Sequence, residues 1–149
     1  MAFRISLDIE RPPEAVFAYI ADARHMPQWY EAVQSVTATS PTRFRMLRSL
    51  PGGQAENEVE VTGYRTDEEI TFASISGPTP FEYRYRLERI PAGTRLTLDG
   101  EISAEGLRGP AAHLGGLAGQ LFKQGMKKNL KALKQVLESA QRREAERGL

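Results

Sequence analysis

The last third of the chain, from about Leu107 to Ala140, reads as one long helix, and that reading constrains everything upstream. Apolar residues at Leu114, Ala118, Phe122, Met126, Leu130, Leu133 and Leu137 recur at steps of three and four, which keeps them on one helical stripe. Such a stripe has to be buried against something. Most of the preceding chain alternates with period two and so reads as strand, which leaves a sheet as the covering surface. The expected class is α+β, with a curved antiparallel sheet of about seven strands wrapped round the C-terminal helix.

The opening turns of that helix hold Gly109, Gly115, Gly116 and Gly119, each costing roughly 1 kcal/mol against Ala in a helix interior. Two explanations fit. The glycines allow another group to approach closely or a segment to hinge, or the stretch is a loop and the helix starts late, near Leu117. In the first case Gly115 to Gly119 borders a cavity portal or serves close packing.

In chain order, Phe3, Ile5, Leu7 and Ile9 alternate with Arg4, Ser6, Asp8 and Glu10, as in a strand buried on one face. Arg11-Pro12-Pro13 stops it, and a proline beside Glu14 can open a helix at its first position. Val16, Phe17, Tyr19 and Ile20 form the inner side of that short helix, and a second short turn through Arg24 to Gln28 delivers Trp29 and Tyr30. Strands are then predicted over 33–39, 42–50, 54–64, 69–76, 81–88 and 94–104, separated by short Pro- and Gly-containing turns that imply antiparallel pairing. The facing of 69–76 stays open.

Length and charge bound the function. At 149 residues the chain fits one domain, 1–149, able to enclose a core and, with a curved sheet, a cavity; the charged tail from about Gln141 is expected to fray. A net charge of +1 gives no overall field for nucleic acid, and none is expected as a partner. From Lys123 onward eight Lys or Arg face three Glu, while Glu56, Glu58, Glu60, Asp67, Glu68 and Glu69 form an acidic zone; both read as solvated faces. The absence of cysteine removes disulfides, thiolate catalysis and Cys-based zinc sites, and it is compatible with a reducing compartment. Charged residues interrupt the amino-terminal apolar pattern, and no apolar run approaches the roughly 20 residues of a membrane span. A cytoplasmic protein, monomeric or homodimeric, is the expectation.

The element order, with Pro13-Glu14-Ala15-Val16-Phe17-Ala18-Tyr19-Ile20-Ala21-Asp22, Met26-Pro27-Gln28-Trp29 and the closing Leu133-Lys134-Gln135-Val136-Leu137-Glu138, resembles the START-like (SRPBCC, Bet v 1-like) superfamily, in particular its polyketide cyclase/dehydrase and lipid-transport branch. The resemblance implies a helix-grip fold with an apolar cavity between sheet and helix. It implies little about chemistry, because one scaffold serves many functions.

Strand parity supplies the candidates. Glu56, Glu58, Glu60, Glu82, Glu88, Asp99 and Glu101 fall on the outward parity, so no paired-carboxylate acid/base device is visible. The candidate ligand-binding residues are Trp29, Tyr30, Met46, Arg48, Asn57, Val59, Phe81, Tyr83, Tyr85, Leu98, Leu114, Ala118 and Phe122. Trp29, Tyr30 and His113 are expected at the cavity ends, and Arg48 is expected to snorkel to the rim. Tyr83, Tyr85 and His113 are the catalytic candidates: a tyrosine hydroxyl donates well to a carbonyl but is a poor base at neutral pH, and Tyr83 and Tyr85 read equally as aromatic core. Two histidines, His25 and His113, are too few for a histidine metal site, and neither metal nor cofactor is expected.

The leading functional expectation is binding of a small hydrophobic or amphipathic ligand, of lipid, polyketide or isoprenoid type, in an internal cavity. Its rivals are a polyketide cyclase or dehydratase using cavity Tyr and His, and an interaction module docking through its basic terminal helix, where peripheral membrane contact is one outcome.

Overall fold

The computed structural model describes residues 1–50, 52–103, 105–106 and 117–148. Strand β1 (Ala2–Ile9) is followed by helix α1 (Pro13–Ile20), a 3₁₀ turn (Ala23–His25) and helix α2 (Met26–Trp29). Six strands follow: β2 (Val33–Ala38), β3 (Arg43–Leu50), β4 (Gly53–Arg65), β5 (Glu69–Ser76), β6 (Phe81–Ile90) and β7 (Gly93–Ile102). Helix α3 (Leu117–Arg147) closes the chain. Proline opens α1, where its missing N–H is one the first turn would leave unpaired anyway. The Asp22 side chain accepts from the Arg24 backbone N–H to cap the 3₁₀ turn.

All seven strands join one antiparallel sheet in the order β1-β7-β6-β5-β4-β3-β2, so β1 and β2 are its edges. This is the curved sheet and terminal helix that the two periodicities predict. Met126, Leu130, Leu133 and Leu137 of α3 are all buried against the concave side, with Phe122 half-buried at the margin. Side chains anchor the helix across the opening between the two edges. Lys134 Nζ donates to Asp8 O at 2.6 Å, Glu138 Oε2 accepts from Glu10 N at 3.0 Å, and Asn129 Oδ1 accepts from Glu31 N at 3.0 Å.

The described helix begins at Leu117, and 107–116, on which the choice between an early and a late start turns, lie outside the described residues. Gly119 is closely approached by the Met1 side chain. The tail from Gln141 is helical to Arg147 and exposed throughout.

On the convex face the outward carboxylates meet arginines from neighbouring strands. Asp99 accepts from Arg4 at 2.5 Å and from Arg86 at 2.7 Å, Asp8 from Arg95 at 2.9 Å, and Glu56 from Arg45 at 2.7 Å. Glu69 pairs with both Arg84 and Arg65. Within the acidic zone Glu56, Glu60 and Glu69 thus take part in a cross-strand lattice of charge. Burial alone would raise the Asp99 pKa, but the hydrogen bonds from Arg4 and Arg86 outweigh it and hold the carboxyl below its usual value.

Candidate functional site

The concave face carries two different kinds of surface. One is polar, aromatic and closed; the other is apolar and open.

The closed region is built round Arg48. Alternation along β3 turns Phe44, Met46 and Arg48 to the same side, and pairing with β4 sets Met46 opposite Asn57. Arg48 does not snorkel. Its side chain stays inside, with the residue 1% exposed. Arg48 Nε and Nη2 donate to Asn57 Oδ1 at 3.1 and 2.8 Å, and Nη2 also donates to Pro78 O at 2.9 Å, Thr79 O at 3.3 Å and Thr79 Oγ1. Asn57 Nδ2 in turn donates to Ser76 O at 3.2 Å and Pro78 O at 2.9 Å. The β5–β6 turn thus supplies the acceptors that keep the arginine inside. That turn is tight: Gly77 sits at φ 104° and Thr79 at φ 47°. The guanidinium carbon lies 5.0 Å from the Phe81 ring centroid, within the range of a cation–π contact.

Every acceptor on Arg48 is neutral, and no carboxylate pairs with it among the described residues. Burial lowers its pKa, opposed by the nearby Tyr30 and Tyr83 hydroxyls. Those tyrosines, with Tyr85 and Trp29, form one buried aromatic cluster. Trp29 lies 5.7 Å from Tyr30 and 6.3 Å from Tyr85 between ring centroids, and Phe81 stacks on Tyr83 at 4.9 Å. Trp29 Nε1 and Tyr83 Oη are buried without a partner in full hydrogen-bond geometry among the described residues, and the Tyr30 hydroxyl is close enough to Tyr83 to act on it. Burial drives the Tyr83 and Tyr85 hydroxyls well above their ordinary pKa, with Tyr30 adding to both shifts. At neutral pH they are donors and not bases.

The open region is a groove of about 640 Å³, within the roughly 300–1,000 Å³ span of ligand pockets. Its floor is Phe17, Val36, Phe44, Val61 and Phe72, from α1 and strands β2 to β5. Ala18, Ala21 and Ala23 form one wall, and the β2–β3 and β4–β5 turns form the other. Charge sits on the rim. Asp22 pairs with Arg24 at 2.8 Å, and this hydrogen bond is the main cause that lowers the Asp22 pKa from 3.8 to about 2. Tyr64 stands 59% exposed with its ring edge-on to Phe17 at 5.3 Å. An aromatic series joins the two regions: Phe44 meets Phe72 at 5.8 Å, Phe72 meets Tyr85 at 6.1 Å, and Tyr85 meets Trp29.

The sequence-predicted residues fall in the closed region. Trp29, Tyr30, Met46, Arg48, Asn57, Val59, Phe81, Tyr83, Tyr85 and Leu98 are all buried. Trp29 and Tyr30, expected at the cavity ends, are 3% and 6% exposed. Of the remaining candidates, Phe122 is half-buried, and His113, Leu114 and the side chain of Ala118 lie outside the described residues. His25 is engaged locally, stacked on Tyr19 at 4.2 Å with Nδ1 against Tyr19 O at 2.8 Å. None of the described candidates lines the groove. The residues that do were hidden for two reasons: β4 pairs with β5 through register shifts at Glu58/Val59 and Val61/Gly63, and Phe17 reads as ordinary helix core. The signal that could have found Phe72 is its place in the Ile70-Thr71-Phe72 run, all three buried in a strand whose parity breaks. Among the described residues no three His, Asp or Glu side chains converge as metal ligands.

Comparison with known proteins places this geometry. A family described as polyketide cyclase / dehydrase and lipid transport matches residues 2–138. An uncharacterised Mycobacterium tuberculosis protein is 31% identical over 117 residues, covering 73% of this chain and 68% of its own length. A START superfamily protein from Mycobacterium smegmatis superposes with TM-score 0.79 at 15% identity, covering 93% of this chain and 98% of that one. A conserved Geobacillus kaustophilus protein gives 0.80 at 14% identity, with 94% and 97% covered. At these identities the solved structures speak for the fold alone.

Proposed function

Starting from the polyketide cyclase/dehydrase and lipid-transport family, to which this chain belongs, we propose that the protein binds a small hydrophobic or amphipathic ligand on the concave face of its sheet, entering through the groove beside α1. The observation that carries this reading is the groove itself: an apolar, largely aromatic floor of five side chains, open to solvent, with charge confined to the rim. A floor of that composition gains by being covered, at roughly 25 cal/mol for each Å² of apolar surface removed from water. Among the described residues no helix is long and apolar enough to cross a membrane, so a lipid-like ligand would be held in the fold and not in a span.

Holding the ligand fits the chemistry better than transforming it. Tyr83 and Tyr85 are kept protonated by burial, and Asp22 on the rim is kept ionised by Arg24, which makes it a weak base. Catalysis by proton transfer works best with a group whose pKa lies near the working pH.

The test is saturable binding of a neutral solvatochromic dye such as Nile red, displaced by fatty acids and by polycyclic aromatics. Ala38→Trp, at an exposed groove position, should weaken dye binding by about tenfold by filling the space, with thermal stability unchanged. Equal dye binding by the variant would move the site elsewhere. Turnover of a poly-β-ketone that Tyr83→Phe abolishes would replace the carrier reading with the cyclase one.

A further inference from the structure

The interior polar cluster is overbuilt for holding a turn. Clamping the β5–β6 turn uses one edge of the Arg48 guanidinium, Nε and Nη2; Nη1 meets no acceptor among the described residues. A buried full charge is costly when only neutral dipoles answer it. Beside it lie two further buried donors, Trp29 Nε1 and Tyr83 Oη; neither has a partner in full hydrogen-bond geometry among the described residues, and the Tyr30 hydroxyl is the polar neighbour of Tyr83. Leaving a buried donor unmet is itself unfavourable, and native interiors rarely do so. The Phe81 ring links cation and hydroxyl, 5.0 Å from the Arg48 guanidinium carbon and stacked on Tyr83 at 4.9 Å, and Trp29 packs on Tyr30 at 5.7 Å. A fork of N–H groups with neighbouring hydroxyl and indole donors is the equipment that receives an oxyanion.

The geometry points to an acid-recognition site in the interior: Arg48, with Tyr83 and Trp29, receives the carboxylate of an amphipathic acid whose apolar chain runs along β3 to the groove floor at Phe44. This rests on the ligand-binding reading above and adds the chemical class of the head group. Phe44 and Arg48 share a strand face four residues apart, a span of about 13 Å at roughly 3.3 Å per residue. The side chain between them on that face is Met46, an unbranched thioether that can repack round an incoming chain. The aromatic series from Phe44 through Phe72 and Tyr85 to Trp29 follows the same course from groove to cluster.

The experiment compares decanoate with decan-1-ol, which share a chain and differ in the head group, as competitors of Nile red on the unmodified protein and on Arg48→Met and Tyr83→Phe. The quantity read is the ratio of the two affinities. In the unmodified protein decanoate should bind about tenfold or more tighter than the alcohol, as a charge-assisted bidentate contact implies. Arg48→Met should bring the ratio to about one, and Tyr83→Phe, which keeps the charge and the ring, should lower it by a few-fold. If Arg48→Met does not fold, Tyr83→Phe and Trp29→Phe decide on the same ratio. Equal affinity of acid and alcohol for the unmodified protein, or a ratio untouched by these substitutions, overturns the acid site while leaving the ligand-binding reading standing. Failure of both competitors to displace bound dye overturns both.

Discussion

Arginine appears on both faces of this sheet, in opposite circumstances. On the convex face Arg4, Arg45, Arg86 and Arg95 reach carboxylates on neighbouring strands in contact with water. On the concave face Arg48 is buried and answered by an amide, a hydroxyl and two turn carbonyls. The difference shows what each arrangement contributes. Exposed pairs set cross-strand register and keep the outer face soluble, at about 0–1 kcal/mol each. The buried arginine ties β3, β4 and the β5–β6 turn together, and its loss would strand acceptors that water does not reach.

The largest effect that would test this contrast is Arg48→Met, expected to destabilise by about 2–4 kcal/mol in urea unfolding, because Asn57 Oδ1 and Thr79 Oγ1 lose their donor inside the protein. A loss below about 1 kcal/mol would mean the turn holds itself. Next is Gly77→Ala. At φ 104° a side chain is strained, and the new methyl would run into Glu56 O and Asn57, so a loss of about 1–3 kcal/mol is expected from the same unfolding measurement. On the convex face, Arg45→Met should cost no more than about 0.5 kcal/mol, and that cost should vanish in molar salt. If it matched Arg48→Met, the contrast between the faces would collapse.

The smallest expected effect is one of pH. Asp22 is lowered to about 2 in the folded protein from 3.8, chiefly by its hydrogen bond from Arg24. A depressed carboxylate stabilises the fold above its unfolded pKa, and that stability is lost as pH falls from about 4 towards 2. Asp22→Asn should remove this part of the acid sensitivity, read as a flatter dependence of melting temperature on pH over that window.

The scaffold was legible because two periodicities state it directly. Phe3, Ile5, Leu7 and Ile9 keep a strict alternation, and Met126, Leu130, Leu133 and Leu137 keep a strict stripe; local spacing suffices when one face is buried. The facing of Arg48 was legible for the same reason, but its depth was not. An arginine at an inward strand position can snorkel or stay, and what keeps this one inside is the turn at 76–79, which is far away in sequence and depends on backbone at positive φ. The groove was less legible still. Two register shifts between β4 and β5 displace Phe72 from simple alternation, and the opposite wall comes from α1, whose alanines look like filler until the sheet curves beneath them.

The claim that a ligand lies along the concave face can be tested at Trp29, the one tryptophan in the chain, which is 3% exposed and packs against Tyr85 at the inner end of the aromatic series. An α-bromo fatty acid carries a heavy-atom quencher beside its carboxylate. Titrated into the protein, it should quench Trp29 emission saturably, with the same midpoint at which it displaces Nile red. Displacement of the dye with Trp29 emission unchanged to saturation would contradict the account, because the bound acid would then lie away from the interior cluster.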